Sequence, residues 1–327
     1  MQICLENLIL IGEGERKMTN AEEFYGILYS SEAMRDVCRI IQGIADDSST
    51  VLITGETGTG KELVARAIFQ TSNCLNRNFV VADCTRFRDR MTESELFGHK
   101  KGSFTGAHQD RRGLFEEANS GTIFLDEISE IPIDYQAQLL RILEEQEVRP
   151  VGENNYRKLS FRVLAASNEP LEELVRQKKF RADLYYRLNV IRIHLPPLRE
   201  RLEELPILAY HFWKSFSSRL NISSSLSYPV LHEVMNSRGE WPGNVRELKN
   251  FVENKLRLAR ININGGGQKN GSGNFPKLAD TIEETRRKLI KLALEKNGGS
   301  IGKAAKDLGT SRSNVVSFCG KYGIEHS

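Results

Sequence analysis

Gly55-Glu56-Thr57-Gly58-Thr59-Gly60-Lys61 decides the fold of this 327-residue chain. The apolar run 51–54 comes just before it and predicts a strand, and apolar residues at helical spacing follow it. A strand, a glycine-rich loop ending in Lys and a helix form the phosphate-binding P-loop arrangement. The glycines let backbone N–H groups surround a polyphosphate, which the helix N-terminus also attracts. The alternative is a glycine turn between an unrelated strand and helix.

The loop and the first residues of the helix are the expected nucleotide-binding residues. They are Gly55, Glu56, Thr57, Gly58, Thr59, Gly60, Lys61, Glu62 and Leu63. Lys61 is expected to neutralise the outer phosphates. Glu62 departs from the general pattern, in which a Ser or Thr hydroxyl after the Lys binds Mg²⁺. Another side chain must therefore hold the metal.

An acidic pair, Asp126-Glu127, follows the apolar run 122–125. In a parallel sheet this strand end lies beside the P-loop. We expect Asp126 to organise Mg²⁺ and Glu127 to polarise the attacking water. An exposed acidic pair after a strand is the alternative.

Four polar residues farther along the chain are candidates for the same site. Asn168 ends a predicted strand and could orient water or the γ-phosphate, or serve only as a turn residue. Arg181 and Arg187 could stabilise the transition state of phosphoryl transfer, or form a surface salt bridge with Asp183. Arg246 follows a Pro-Gly break and could reach a nucleotide, or only cap its helix.

Gly102-Ser103-Phe104-Thr105-Gly106-Ala107 places an aromatic residue between two glycines in a polar region. We expect a mobile loop that offers Phe104 to solvent or to a partner. A flexible turn without a function is the alternative.

The tail predicts a helix, a tight turn and a second helix between about residues 300 and 321, the pattern of a helix-turn-helix. Ser311 is placed to cap the second helix, which would enter a major groove of DNA. The expected DNA-binding residues are Ser311, Arg312, Ser313, Asn314, Ser317 and Lys321. A plain helical hairpin is the alternative, because only two of these residues are cations. From Phe275 onward, 10 Lys/Arg against 6 Asp/Glu favour a nucleic-acid partner.

Composition places the chain among globular proteins, with 27% charged and 39% apolar residues. The net charge of +3 is too small to identify a partner. Five scattered cysteines without a C-x-x-C argue against a zinc site or a disulfide framework and fit a reducing cytoplasm. No apolar run reaches the roughly 18 residues that a membrane span needs, so no membrane partner is expected.

Strands alternating with helices predict an α/β fold with a parallel sheet covered on both faces. The predicted strands lie at 51–54, 79–82, 122–125, 161–166 and 190–195. The predicted helices lie at 31–44 and 136–147, and from 205 to about 259 with a break at 241–243.

Together these motifs resemble those of the sigma-54-dependent transcriptional activators, the bacterial enhancer-binding proteins of the AAA+ class. The resemblance covers about residues 25–260 and the tail. It rests, in the family's order, on Gly55–Glu62, Glu95–Gly98, Gly102–Ala107, Gly121–Glu127, Phe180–Leu188, Leu195–Arg201 and Trp241–Leu248. It implies an AAA+ P-loop NTPase core, a five-stranded parallel sheet between helices, with an α-helical lid and a C-terminal all-α helix-turn-helix domain. The expected divisions are an N-terminal segment at 1–24, the α/β subdomain at 25–200, the lid at 201–260, a flexible linker at 261–276 and the DNA-binding domain at 277–327.

The resemblance also implies a function: ATP hydrolysis with Mg²⁺ by a homo-oligomeric ring, typically a hexamer. Arg181 and Arg187 would be arginine fingers acting on a neighbouring subunit, Asn168 the sensor I residue and Arg246 the sensor II residue. The loop Gly102–Ala107 would touch sigma-54 and remodel the closed complex of RNA polymerase. A second surface loop, 147–158, would move with it, and the tail would bind enhancer DNA. A separate regulatory protein or a further N-terminal part would control the activity.

Three departures from the family pattern are visible. Ser103 replaces the usual Ala of the contact loop. Asp83 stands where an Asn often restrains the Walker B Glu, and would repel Glu127 when both are ionised. The recognition helix carries Val315, Phe318, Cys319 and Gly320 where basic or polar residues are common. Two alternative functions remain: an ATP-dependent DNA-binding regulator that never engages sigma-54, and an AAA+ remodeller or helicase unrelated to transcription.

Overall fold

The computed structural model describes residues 21–72, 78–87, 91–220, 228–236, 241–264 and parts of 287–324. The chain divides into two compact units. The first comprises Glu22–Leu208 with Gly239–Lys249, and the second comprises the remaining segments.

The first unit contains short and long strands in alternation with helices. Its strands are β1 (Glu22–Phe24), β2 (Ile27–Tyr29), β3 (Val51–Thr54), β4 (Phe79–Asp83), β5 (Gly98–His99), β6 (Arg111–Arg112), β7 (Thr122–Asp126), β8 (Glu147–Val148), β9 (Arg157–Lys158), β10 (Arg162–Ser167) and β11 (Ile191–His194). Its helices are α1 (Glu32–Gly43), α2 (Lys61–Thr71), α3 (Met91–Phe97), α4 (Leu114–Glu117), α5 (Ile133–Glu145), α6 (Leu171–Arg176) and α7 (Ala182–Leu188).

The predicted five-stranded parallel sheet is confirmed. Its strand order is β11-β3-β10-β7-β4, and all four neighbouring pairs are parallel. Successive residues of one strand face opposite sides of the sheet. In β7, Ile123 and Leu125 belong to a hydrophobic core on one face, whereas Phe124 between them belongs to a second core on the other face. A sheet buried on both faces explains the almost continuous apolar runs in the sequence.

Helix α1 shows how local sequence sets an element boundary. Ser31 is its N-cap, and the Ser31 hydroxyl accepts a hydrogen bond from the Met34 N–H at 3.3 Å. Met34, Val37, Cys38 and Ile41 recur at helical spacing and are buried in the second core. The helix therefore matches the prediction of 31–44 closely.

The prediction of a helix at 136–147 is wrong at both ends. Helix α5 begins at Ile133, after Pro132, and stops at Glu145. Gln146 has a left-handed conformation, with φ 52°, which ends the helix. Glu147 then starts β8, which pairs with β9 in an antiparallel ladder.

Three antiparallel pairs were not predicted: β1 with β2, β5 with β6, and β8 with β9. Tyr25 and Gly26, both at positive φ, connect β1 to β2 in a tight hairpin. The other two pairs stand at the bases of two loops, so each loop leaves and re-enters the domain at one place.

Helices continue beyond β11. They are α8 (Leu205–Leu220), α9 (Tyr228–Asn236), α10 (Asn244–Asn264), α11 (Ile301–Asp307) and α12 (Arg312–Tyr322). Helix α10 extends through residue 264, and the linker expected at 261–276 stays a prediction. Ile290, Ala304, Val315 and Cys319 belong to a small core shared by the α11–α12 region. Two consecutive helices there agree with the helix-turn-helix pattern, which stays a prediction.

Within the described ranges, every helix is too short or too polar to cross a membrane.

Candidate functional site

The P-loop connects β3 to α2 and depends on glycine for its path. Gly58 has φ 81° and Gly60 has φ 108°, conformations that residues with a Cβ rarely adopt. A Cβ at Gly58 would also lie 2.3 Å from the Gly243 carbonyl oxygen. The loop is therefore closely covered at Gly58.

Lys61, at the start of α2, is buried, with a side chain 6% exposed. Its Nζ donates to the carbonyls of Gly55 and Glu56 at 3.0 and 3.4 Å. Its third partner is the carboxylate of Glu127, whose Oε1 lies 3.2 Å from Nζ. The P-loop cation and the acidic residue after β7 are thus directly paired.

Glu127 is fixed from two sides at the carboxyl edge of the sheet. Besides Lys61, it accepts a hydrogen bond on Oε2 from the Asn168 N–H at 3.0 Å. The Asn168 side-chain amide donates to Thr57 Oγ1 at 3.3 Å, and Asn168 Oδ1 accepts from Ser129 Oγ at 3.3 Å. Glu127 itself has φ 52°. The structure therefore brings together four residues that the sequence predicted for this site: Thr57, Lys61, Glu127 and Asn168.

Asp126 ends β7 directly before Glu127. Burial raises the pKa of the Asp126 carboxyl, and the charge of Glu127 raises it further. Among the described residues, no group of three or more His, Cys, Asp and Glu side chains could hold a metal ion. Asp126 would therefore need other oxygen ligands, such as phosphate oxygens, to bind Mg²⁺.

Asp83 pairs with Asp126 in the strand register and is engaged locally. Its Oδ1 accepts hydrogen bonds from the Thr85 N–H at 3.1 Å and the Thr85 hydroxyl at 2.6 Å. Its Oδ2 lies 3.2 Å from Arg86 Nε. Asp83 nonetheless contributes to the raised pKa of Asp126, so its negative charge is felt at this edge.

Three other predicted nucleotide-binding residues lie at the margin of the loop. The Glu62 carboxylate forms an exposed ion pair with Arg66 at 2.7 Å. Leu63 is half exposed and lies near Gly26 of the β1–β2 turn. The Arg246 side chain is exposed, whereas its N–H donates to the Gly58 carbonyl at 3.3 Å. The beginning of α10 thus reaches the loop through its backbone.

Arg181 and Arg187 have partners within their own chain. The Arg181 guanidinium donates two hydrogen bonds to Asp183, at 3.0 and 2.7 Å, as the salt-bridge alternative required. This ion pair lowers the pKa of the Asp183 carboxyl. The Arg187 guanidinium donates to the Leu143 carbonyl at 3.1 and 2.7 Å. No contact between either guanidinium and the P-loop is found among the described residues.

The loop Gly102–Ala107 is a closed turn. The Gly102 N–H donates to the Ala107 carbonyl at 2.8 Å, and the Ala107 N–H donates to the Phe104 carbonyl at 3.0 Å. The Phe104 ring is 37% exposed and packs edge-on against His99. Phe104 is therefore accessible, as expected, but it also has a fixed neighbour. Thr105, beside it, is exposed.

Backbone hydrogen bonds join this loop to the second surface loop, 147–158. The Lys100 N–H donates to the Val151 carbonyl at 3.0 Å, and the Val151 N–H donates to the Gly98 carbonyl at 2.9 Å. A Cβ at Gly152 would lie 2.6 Å from Ser103 Cβ, so the two loops also touch. The two loops are thus in contact, and their joint movement stays a prediction.

The sequence interpretation missed Asn244. This fully buried residue begins α10 with φ 54°. Its Nδ2 donates to the Thr57 carbonyl at 3.0 Å and to Glu56 Oε2 at 3.2 Å, and its Oδ1 accepts from the Leu198 N–H at 2.7 Å. An Asn directly after Pro-Gly at a helix start is a recognisable capping signal, but nothing local indicates its P-loop partners.

Two arginines of the segment 198–204 were also missed. Arg199 makes a bidentate ion pair with Glu56, at 2.8 and 2.6 Å. This pair and the Asn244 amide lower the pKa of the Glu56 carboxyl to about 2. Arg201 is buried and donates to the Thr59 carbonyl at 3.0 Å. Arg199 and Arg201 therefore bind the P-loop although they lie about 140 residues later in the sequence.

The tail contributes one described side chain from the predicted DNA-binding set, Arg312, which is exposed at the start of α12. The remaining members lie outside the described residues or have side chains outside them: Ser311, Ser313, Asn314, Ser317 and Lys321.

Comparison with known proteins places these features in a family. A family model described as the sigma-54 interaction domain matches residues 27–194, and one described as the AAA+ ATPase lid domain matches residues 199–263. The chain belongs to the sigma-54-dependent transcriptional activators. This activator carries the AAA+ ATPase fold of that family, and the resemblance inferred from its motifs is confirmed.

Several relatives align with nearly the whole activator. The regulatory protein AtoC of Escherichia coli is 39% identical over 91% of this chain and 68% of its own length. The formate hydrogenlyase transcriptional activator FhlA of Escherichia coli is 40% identical over 98% of this chain and 47% of its own length. The chain thus spans about two thirds of one relative and about half of the other.

A solved structure shows the same fold. NtrX from Brucella abortus, crystallised in complex with ATP, superposes with a TM-score of 0.66 at 27% identity. The alignment covers 91% of this chain and 69% of NtrX.

The Glu56–Arg199 ion pair predicts a pH dependence of stability. The pKa of Glu56 is about 2 in the folded chain against an ordinary 4.5, so its contribution is present above pH 4.5 and is lost as the pH falls toward 2. Glu56→Gln should lower the melting temperature at pH 7, and the difference from the wild type should shrink toward pH 3, measured by circular dichroism. Arg199→Gln removes the other partner, and the difference between its melting temperature and that of the wild type should also shrink toward pH 3. A difference that stays constant over this range would contradict the assignment.

Proposed function

We propose that this activator hydrolyses ATP and uses the energy to remodel the closed complex of sigma-54 RNA polymerase, while its tail binds upstream enhancer DNA. The observation that carries the proposal is the joint placement of Lys61, Glu127, Asn168 and the P-loop at one sheet edge, in a chain with the sigma-54 interaction domain. The ATP complex of NtrX supports ATP as the nucleotide.

The contacts of Glu127 suggest its part in the chemistry. Phosphates entering the P-loop would compete for Lys61, which would release the Glu127 carboxylate to accept a proton from the attacking water. The Asn168 N–H would keep that carboxylate at the edge of the sheet. Asp126 would hold Mg²⁺, which neutralises phosphate charge when bound.

Assembly into a homo-oligomeric ring, a hexamer in this proposal, would complete each site. Arg181 and Arg187 have exposed side chains whose partners in this chain are Asp183 and a main-chain carbonyl. A phosphate carries more negative charge than either partner, so a neighbouring subunit's nucleotide could attract these guanidinium groups. A separate regulatory protein would then act on the assembled ring.

Glu127→Gln tests the role in water activation. Loss of the general base should lower kcat for ATP hydrolysis by about 10²- to 10⁴-fold, while ATP binding persists because the P-loop and Lys61 remain. Binding by calorimetry and turnover by phosphate release separate the two effects. Glu130→Gln neutralises an exposed carboxylate three residues later in the sequence; it is the matched control and should retain turnover. Turnover within tenfold of the wild type in Glu127→Gln would rule out the assignment.

Thr105→Ala tests the contact loop. The hydroxyl is exposed and has no place in the nucleotide site, so ATP hydrolysis should stay at the wild-type level while open-complex formation on a sigma-54 promoter is lost. In vitro transcription with sigma-54 polymerase measures the loss, and His108→Ala, an exposed change just outside the loop, is the control. Undiminished transcription would favour the alternative of an ATP-dependent DNA-binding regulator that does not engage sigma-54.

Mixed rings test whether Arg181 and Arg187 act on a neighbour. Arg187→Ala or Arg181→Ala subunits keep an intact P-loop, and Lys61→Ala subunits keep intact arginines. Where an arginine-deficient subunit lies beside a Lys61→Ala subunit, the P-loop of the first and the arginines of the second can form one complete site. Mixing the two inactive preparations should therefore restore part of the ATP hydrolysis. Lys179→Ala, an exposed cation of the same region, should be active alone. Mixtures as inactive as their components would show that the arginines do not act across subunits.

A further inference from the structure

A P-loop can offer its N–H groups to a phosphate only when its carbonyls point outward, and those carbonyls then need hydrogen-bond donors. Each carbonyl from residue 55 to residue 59 has one. The donors are Lys61 Nζ, the Thr59 hydroxyl, the Asn244 amide, the Arg246 N–H and the Arg201 guanidinium. The last donor is a buried cation with no role in the proposed chemistry.

We propose that Arg201 is a positioning residue for the nucleotide: by holding the Thr59 carbonyl outward at 3.0 Å, it keeps the last turn of the P-loop open to phosphate. Arg201 acts through the loop backbone and does not itself touch the nucleotide. This inference rests on the proposed ATP site.

Arg201 is held rigidly enough for this task. Its side chain is 3% exposed, and Nη1 lies 3.1 Å from Oε2 of Glu204, which is fully buried. The other carboxylate oxygen of Glu204 accepts from the Ser31 hydroxyl at 2.5 Å and from the Ser31 N–H at 3.2 Å. Because Ser31 caps α1, the guanidinium is anchored to a second element of the core.

Stability alone does not account for this arrangement. Removing two charges from water is costly, and an apolar replacement of a buried ion pair is often neutral or stabilising. Burial accordingly lowers the pKa of the Arg201 guanidinium, although Glu204 opposes the shift. What an apolar pair could not do is donate to the Thr59 carbonyl while remaining fixed to Glu204. The planar fork of Arg serves two acceptors at once, and the point charge of Lys does not.

Two variants of the full chain separate positioning from folding. Arg201→Lys keeps a cation beside Glu204 but should lose the bond to Thr59. Arg201→Met/Glu204→Gln removes both charges together, so that no buried ion is left unpaired, and retains an acceptor for Ser31. The matched control is Arg176→Met/Glu173→Gln, which removes an exposed Arg–Glu pair with the same spacing of three residues, in the opposite order along the chain.

The measurements are ADP and ATP affinity by calorimetry, KM and kcat for ATP hydrolysis, and the melting temperature. We expect both Arg201 variants to bind nucleotide about tenfold more weakly, the size of one lost charged hydrogen bond, and to raise KM accordingly. Melting temperatures without nucleotide should stay within a few degrees of the wild type, and the control should bind normally.

Nucleotide affinity within twofold of the wild type in either folded variant would overturn the positioning role. Unfolding of Arg201→Lys would also overturn it, because the residue would then serve stability. A wild-type chain that binds neither ADP nor ATP would instead refute the proposed function, so the two failures are distinguishable.

Discussion

The parallel arrangement of four neighbouring strands is the constraint on which the site depends. Because β3, β10, β7 and β4 all run in one direction, the P-loop, Asn168 and Asp126-Glu127 emerge at one edge of the sheet. An antiparallel strand among them would deliver its polar end to the opposite edge. The two hydrophobic cores take alternate residues from the strands and so hold the strands in place. In this way they also fix the relative positions of the polar residues at the strand ends, which they do not touch.

Much of this edge could be predicted because its signals are local. The glycine loop with Lys61, the acidic pair after β7 and the apolar runs each lie within a short stretch, and parallel strands bring their ends together. The β5–β6 and β8–β9 ladders have only two residues per strand, too few for any periodicity. Asn244 and Arg201 were missed for a different reason: their partners in the loop are 187 and 142 residues away, and sequence carries no local trace of such contacts.

Acidic side chains outnumber basic ones beside the P-loop at this edge of the sheet. Asp126 and Glu127 stand beside one buried cation, Lys61, and Asp83 adds its field from the neighbouring strand. The Asp83 carboxylate accepts its hydrogen bonds from the Thr85 N–H and hydroxyl. Lys61 is the partner that Glu127 has in this structure, together with the Asn168 N–H. Glu127 is thus held by one ion pair and one main-chain hydrogen bond, and the ion pair depends on what else Lys61 binds.

The junction between the two surface loops includes main-chain hydrogen bonds, whereas the tip of the first loop presents side chains. Val151 exchanges backbone hydrogen bonds with Gly98 and Lys100, and such bonds do not depend on side-chain identity. The two loops are therefore joined through their main chains, whereas the tip carries the exposed side chains of Phe104 and Thr105. Substitutions at the tip can therefore change the surface offered to a partner without altering the main-chain junction at its base.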